Sequence, residues 1–193
     1  MYIGKHKYQW YAVYTRVNQE KKIASLLNEQ KIEFYLPLIK KLRQWSDRKK
    51  WIKEPLFKCY IFVRVSYREF YRVIDMPGVV GYVSFGCKPQ SIPDNQIENI
   101  KTIVNESEKE IIITRDKISK GITVEVNFGP LKGVHGEIVK ICGQSRILIR
   151  ITAMGCCIHT NISKDQVKIL PPDRNRTKIK HQSVYKNRLS TSV

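Results

Sequence analysis

The spacing of hydrophobic and polar positions changes near the middle of the chain. Up to residue 106, short apolar runs alternate with stretches whose apolar residues recur every three or four positions, which predicts strands and amphipathic helices in turn. After Gly121 the period becomes two, as in Ile122, Val124 and Val126, a pattern typical of strands with one buried face. The chain is therefore predicted to be α+β, with an α/β sandwich followed by a small β-barrel.

The first half is predicted to follow the order β-α-β-β-α-β-α. Residues 9–15 form its first strand, and residues 56–65 carry the strongest strand pattern of the chain. Within that second segment Tyr60 and Phe62 would share one face of the strand, and Phe57 would lie on the other. The sheet must bury one of these faces, and periodicity does not tell which.

Proline, glycine and helix-capping residues set the boundaries of these elements. Pro37 predicts that residues 32–38 form an edge strand, since proline cannot donate to a ladder. Ser66 and Glu69 form a Ser-x-x-Glu capping box that predicts the start of the second helix. Residues 76–78 (Met-Pro-Gly) would end that helix.

Residues 40–53 are strongly basic and are predicted to form a protruding hairpin or loop. Seven Lys and Arg face one Asp in this segment, which gives a local charge of 7 − 1 = +6. Trp45 and Trp51 flank the charges. They could stack on nucleic-acid bases, although packing beneath the hairpin is the favoured interpretation.

The predicted domain boundaries follow from these changes of pattern. The first domain spans residues 8–106, a linker spans 107–117, and the barrel spans 118–170. Residues 171–193 carry many Lys and Arg but few apolar residues, so they are expected to be a disordered basic tail.

The net charge of the chain indicates which class of partner the protein binds. Among 193 residues, 35 Lys and Arg against 17 Asp and Glu give a net charge of +18. Such an excess favours DNA, RNA or an acidic protein surface, and the alternative is a charge that serves only solubility. The sequence has no stretch typical of a membrane span or signal peptide, and five irregularly spaced cysteines indicate no disulfide framework. We therefore expect a cytoplasmic, monomeric protein with no membrane partner.

Catalytic and metal chemistry find little support in the sequence. The four histidines stand in no known metal or nucleophile motif. Cys156 and Cys157 precede His159, but neighbouring strand residues point to opposite faces and would not share one metal ion. One buried and one exposed cysteine is the expected arrangement. We predict a protein that is not an enzyme and has no cofactor.

Several segments together resemble the NusG family. Residues 9–15 (Gln-Trp-Tyr-Ala-Val-Tyr-Thr), 54–63 (Glu-Pro-Leu-Phe-Lys-Cys-Tyr-Ile-Phe-Val) and 78–86 resemble strands of its N-terminal (NGN) domain. Residues 121–138 resemble the KOW motif, which opens an SH3-like barrel, and 163–167 resemble its closing strand. Each motif alone is weak, whereas their order over roughly residues 9–170 is specific to this pairing of domains.

This resemblance implies a transcription elongation or antitermination factor. The first domain would bind the clamp helices of the RNA polymerase large subunit, and the barrel would recruit Rho or a ribosomal protein. The short Pro-Leu-Phe form and the basic hairpin are more similar to the specialised RfaH/UpxY-type antiterminator paralogs. The alternative is a KOW-type RNA- or ribosome-binding protein without polymerase function.

The candidate site residues combine this resemblance with the local chemistry. The polymerase-binding candidates are aromatic or apolar and lie on or near the central strands: Tyr14, Leu56, Phe57, Tyr60 and Phe62. The candidates for contact with upstream DNA or the non-template strand are basic: Arg16, Lys22, Arg43, Arg48, Lys49 and Lys50. Met154 is the candidate partner contact of the barrel, where the family carries a bulky apolar residue.

Overall fold

The computed structural model describes residues 7–44, 48–85, 88–106, 111–114, 118–141 and 143–171. Trp45 and nearly all of the predicted basic tail lie outside these ranges. Within them, no helix is both long and apolar enough to cross a membrane.

The N-terminal domain is built on a five-stranded antiparallel sheet. In chain order its elements are β1 (Gln9–Thr15), α1 (Glu20–Glu29), β2 (Glu33–Tyr35), β3 (Leu38–Gln44), β4 (Lys49–Pro55), β5 (Tyr60–Val65), α2 (Tyr67–Ile74), β6 (Val79–Tyr82), β7 (Ser84–Phe85), β8 (Lys88–Pro89), β9 (Ser91–Ile92) and α3 (Asp94–Glu106). The sheet order is β2-β5-β1-β6, and β9 also pairs with β1. The predicted edge position of the second strand is thus confirmed.

Both faces of the central strand β1 are buried, because helices cover the sheet on its two sides. Tyr11 and Val13 belong to the apolar cluster formed with α1 and α2. Trp10 and Ala12 alternate with them and belong to the cluster formed with α3. This explains why the first strand is a continuous apolar run without a polar face.

The strand predicted for residues 56–65 begins only at Tyr60. Residues 56–59 form a turn in which Cys59 adopts a left-handed conformation, with φ of 64°, and its N–H donates to the Glu20 carboxylate at 2.7 Å. The prediction that Phe57 lies on the face opposite Phe62 is wrong. Because the chain turns, the Phe57 ring packs edge-on against that of Phe62, with centroids 5.6 Å apart.

The basic segment forms an antiparallel hairpin of β3 and β4, as the sequence predicts. Seven residue pairs are in register, from Leu38 opposite Pro55 to Gln44 opposite Lys49. The predicted capping box is also confirmed, since the Ser66 N–H and hydroxyl both donate to Glu69, at 3.0 and 3.1 Å. Gly78, with φ of 96°, follows α2 as expected.

The second domain, here called the β-domain, is a six-stranded antiparallel sheet. Its strands are β10 (Ile112–Thr114), β11 (Ile122–Val126), β12 (His135–Ile141), β13 (Gln144–Ile151), β14 (Cys156–Asn161) and β15 (Val167–Ile169), in the order β10-β14-β13-β12-β11-β15. Strand β10 falls within the predicted linker. The pairing defines one continuous path, and closure into an SH3-like barrel stays a prediction.

Cys156 and Cys157 are both buried, at 5% and 7% exposure, so the expectation of one exposed cysteine is wrong. They do point to opposite faces. Cys156 joins the main core, whereas Cys157 packs with Val139 and Leu148 on the other face. Apolar residues thus cover both faces of β14.

One apolar core continues from the N-terminal sheet through α3 into the β-domain. Its members include Trp10, Ala12, Phe62, Ile97, Ile100, Ile103, Val124, Ile147, Ile149, Ile151 and Ile158. Helix α3 lies against both β1 and β13. The two predicted domains thus pack against each other through a shared core.

Asn99 fixes the position of α3 on the β-domain. Its side-chain amide donates to the His135 carbonyl at 2.9 Å, and its oxygen accepts the His135 N–H at 3.3 Å. On the sheet side, the Lys101 ammonium lies 5.5 Å from the Trp10 ring and 5.7 Å from the Tyr35 ring. Polar contacts therefore hold the helix on both sides of its apolar packing.

We expect Asn99→Ala to lower the free energy of unfolding by about 1–3 kcal/mol, since it removes two hydrogen bonds worth about 0.5–1.5 kcal/mol each. Urea denaturation would measure the change. Asn105→Ala removes an exposed amide from the same helix and should cost less than about 0.5 kcal/mol. Equal losses in the two variants would contradict a specific role for Asn99.

A bidentate ion pair joins the strands of the β-domain to the segment that leads into it. Arg150 donates to the two Glu137 oxygens at 2.9 and 3.0 Å. The Gly121 N–H also donates to Glu137, at 2.9 Å. Burial alone would raise the pKa of Glu137, but these hydrogen bonds and the Arg150 charge hold it below its ordinary value of 4.5.

Because the pKa of Glu137 is lowered in the folded state, the stability of the protein depends on pH. The stabilisation is fully present above the unfolded pKa near 4.5 and is lost as pH falls through the folded pKa. We therefore expect the melting temperature of Glu137→Gln to fall less steeply than that of the wild type between about pH 6 and pH 3. Glu106→Gln, at the exposed end of α3, should show the wild-type slope, and parallel curves for all three proteins would contradict the prediction.

Candidate nucleic-acid and polymerase interface

Tyr14 and Tyr60 form an exposed aromatic pair where β1 ends and β5 begins. The two residues are directly opposite in the sheet, and their ring centroids lie 5.2 Å apart. Tyr14 is 42% exposed and Tyr60 is half-buried. The pair presents a rigid apolar surface with two hydroxyl groups, a combination typical of protein interfaces.

The other three polymerase-binding candidates lie in the core. Leu56, Phe57 and Phe62 are 7%, 4% and 0% exposed, because the turn at residues 56–59 folds back onto the sheet. In this conformation Tyr14 and Tyr60 are accessible to a partner, whereas the three buried residues belong to the core against which Tyr60 packs. Their assignment as a group remains a prediction.

Arg16 directly follows β1, and Lys22 lies in the first turn of α1. They line a groove at the start of α1 with Val17, Gln19, Pro77 and Gly78, and the Arg16 N–H donates to the Gly78 carbonyl at 2.8 Å. Both side chains are exposed, and neither forms an ion pair with any described carboxylate. Their charges are therefore available to an anionic ligand.

Two further lysines, Lys21 and Lys58, extend this basic surface and are not among the residues predicted from the sequence. Lys21 donates to the Lys53 carbonyl at 2.7 Å and so joins α1 to the base of the hairpin. Lys58 is exposed in the turn before β5. Its neighbour Cys59 accepts the Thr15 N–H at 2.9 Å, which brings that turn next to Arg16. These lysines are scattered in sequence, so only the fold brings them together.

The hairpin divides its basic residues between two faces. Side chains directly opposite each other share a face, so Arg43 lies with Lys50 and Lys41, and Lys49 lies on the other side. Arg43 is already paired with Glu54 at 2.6 Å. Arg48 precedes β4 and is exposed. The predicted basic cluster is thus two distinct surfaces.

Trp51 contradicts the favoured interpretation from sequence, in which the tryptophans pack beneath the hairpin. It is 65% exposed and lies opposite Leu42, which is 45% exposed. Trp45 lies outside the described residues.

The β-domain offers fewer candidate contacts. Met154 lies in a 3-10 turn at residues 152–154 and packs, half-buried, against the shared core. Its burial leaves only part of the side chain open to a partner. Within the described ranges, no three His, Cys, Asp or Glu side chains are grouped as a metal site would require.

We expect Glu20→Ala to lower the free energy of unfolding by about 1–3 kcal/mol, because it leaves the N–H of Cys59 without its partner. Glu20 is only 4% exposed, and the turn that it holds leads directly into Tyr60. Chemical denaturation would measure the loss. Glu29→Ala, at the exposed other end of α1, is the control, and the same loss there would contradict the assignment.

Comparison with known proteins gives matches in agreement with these features. A family model described as transcription termination factor nusG matches residues 8–101. The transcription termination/antitermination protein NusG of Rickettsia prowazekii is 22% identical over 172 residues, which are 83% of this chain and 89% of the relative. That of Thermus thermophilus is 24% identical over 168 residues, covering 76% and 90%.

Among solved structures, one described as domain interaction in Thermotoga maritima NusG is 21% identical to this chain. The similarity covers 87% of this chain and 100% of that one, with a TM-score of 0.46.

Proposed function

We propose that this chain is a non-enzymatic transcription elongation and antitermination factor of the NusG family, whose model matches residues 8–101. It binds RNA polymerase in the cytoplasm and changes how the enzyme pauses and terminates. The observation that carries the proposal is the exposed Tyr14–Tyr60 pair at the end of β1, in the domain that matches the family model and that also carries the basic groove of Arg16 and Lys22.

The Tyr14–Tyr60 pair supplies the anchor for the clamp helices of the polymerase large subunit. A helical partner that covers these rings buries a large apolar area, while the hydroxyl groups at the rim keep hydrogen bonds to water or to the partner. Aromatic anchors of this kind carry a large share of binding energy in protein interfaces. The core residues beneath the pair keep the rings in place, so little side-chain entropy is lost on binding.

The basic surface at the start of α1 binds the DNA that the polymerase carries. Arg16 and Lys22 lie on the groove at the start of α1, and Lys21 connects that region to the hairpin. Clustered lysine and arginine side chains neutralise phosphates and release counterions. Upstream DNA or the exposed non-template strand is the ligand that this geometry favours.

The hairpin supports a role of the specialised RfaH/UpxY type, although the relatives are named as general NusG proteins. Two seven-residue strands extend from the sheet and carry basic residues on both faces. In this proposal they give a second DNA contact that biases the protein toward antitermination. The β-domain recruits Rho or a ribosomal protein through the surface around Met154.

The alternative, a KOW-type RNA- or ribosome-binding protein, is not favoured. Such a protein has no need of the N-terminal domain, yet the family match falls on that domain. The aromatic pair also lies there and not on the β-domain.

The test is transcription in vitro with purified RNA polymerase, on templates that carry a pause site and a Rho-dependent terminator. We expect the full chain to shorten the pause, and Tyr14→Ala and Tyr60→Ala each to raise the concentration needed about tenfold or more. Tyr67→Ala is the matched control, because Tyr67 is similarly exposed but lies on α2, across the sheet. It should act as the wild type does.

The terminator template then separates the two kinds of factor, because read-through indicates antitermination and increased release indicates a general factor. An unchanged pause on every template, with binding to RNA or ribosomes retained, would refute the proposal and support the KOW alternative. Equal losses in all three tyrosine variants would refute the assigned anchor.

A further inference from the structure

We propose that one face of the β3–β4 hairpin binds single-stranded DNA by stacking bases on Trp51. The stacking face consists of Trp51 and Leu42 with Lys40, Lys49 and Lys53. The inference rests on the nucleic-acid part of the proposed function and not on polymerase binding.

The register of the hairpin assembles this face. Leu42 is directly opposite Trp51, and Lys40 is directly opposite Lys53. Lys49 follows on the same side, because strand residues two apart share a face. The result is an exposed indole and an exposed leucine with three positive charges around them.

Charge distinguishes the two faces. Among the described residues of the hairpin, the stacking face carries Lys40, Lys49 and Lys53 and no carboxylate, which gives +3. On the opposite face Lys41, Arg43 and Lys50 share their side with Glu54, which forms an ion pair with Arg43 at 2.6 Å, so the charge is 3 − 1 = +2. The surface with the aromatic ring is therefore also the more positive one, as a stacking site for a phosphate backbone requires.

A structural role alone does not account for the exposed pair. Cross-strand contact between Trp51 and Leu42 does stabilise the hairpin, but an isoleucine or valine would do so with less apolar surface in water. Among the described elements, β3 and β4 have extensive contacts only with each other, and the hydrogen bond from Lys21 of α1 reaches the hairpin at its base, at the Lys53 carbonyl. The flat ring of Trp51 is thus left free for a planar ligand.

The aliphatic neighbour of the ring favours DNA over RNA. In this proposal a thymine stacked on Trp51 brings its 5-methyl group to the apolar side chain of Leu42, a contact that uracil lacks. Single-stranded DNA rich in thymine is therefore the preferred ligand.

The experiment measures the anisotropy of a labelled thymidine oligonucleotide of about twelve residues, a length within the usual site size, titrated with the full-length protein. Trp51→Ile keeps a strand-forming apolar residue opposite Leu42 but removes the ring, and should weaken binding about tenfold. Trp51→Phe keeps an aromatic ring and should retain most of the affinity. Because stacking releases no counterions, the ratio between the two variants should not change with salt.

A comparison of Lys40→Gln with Lys41→Gln tests which face of the hairpin binds the DNA. The two lysines are adjacent, exposed and equal in charge, but only Lys40 lies on the stacking face. We expect Lys40→Gln to weaken binding more than Lys41→Gln does. The uridine oligonucleotide of equal length should bind more weakly than the thymidine one.

Four outcomes would overturn the inference: no binding by the wild type, equal affinity of the two Trp51 variants, equal losses at Lys40 and Lys41, or an equal affinity for the RNA oligonucleotide. No polymerase is present in this assay. A failure of the Tyr14 and Tyr60 prediction therefore leaves the stacking site standing, and loss of the stacking site leaves the polymerase anchor standing.

Discussion

The packing of α3 between the N-terminal sheet and the β-domain is the constraint on which the rest of the structure depends. Three isoleucines of this helix are fully buried, and each contributes about 1.5–3 kcal/mol by leaving water. The Asn99 side chain fixes the position of α3, since its amide forms hydrogen bonds with both the carbonyl and the N–H of His135. Apolar burial alone permits sliding, whereas two hydrogen bonds at a defined residue fix one arrangement.

This arrangement determines which chemistry reaches the surface. The face of the sheet that bears Trp10, Ala12 and Phe62 is covered, so its aromatic residues become accessible only at the end of β1, where Tyr14 and Tyr60 emerge. The turn held by Glu20 brings Lys58 to the same edge. The aromatic pair and the exposed Lys58 therefore lie at the same end of the sheet, where the core ends.

Sequence patterns predict much of this fold but not its long-range packing. The start and end of α2, the capping box of Ser66 and Glu69 and the basic hairpin depend on neighbouring residues, so local rules suffice for them. Phe57 was misplaced because the left-handed Cys59 breaks the strand, and the carboxylate that holds this turn comes from Glu20, 39 positions away. Nor does periodicity indicate that β14 is buried on both faces, which depends on residues that pack against it from other elements.

The hairpin shows why net charge alone does not locate a nucleic-acid site. Its basic residues form one continuous run in the sequence, and a count gives no reason to prefer Lys40 over Lys41. The strand register separates the two, since Lys40 lies on the face of Trp51 and Lys41 on the face where Glu54 offsets Arg43. Because the chain carries a net charge of +18, every single-residue variant still attracts a polyanion at long range. Only the short-range contacts of a stacked base distinguish one face of the hairpin from the other, because stacking requires the ring and the ligand to touch.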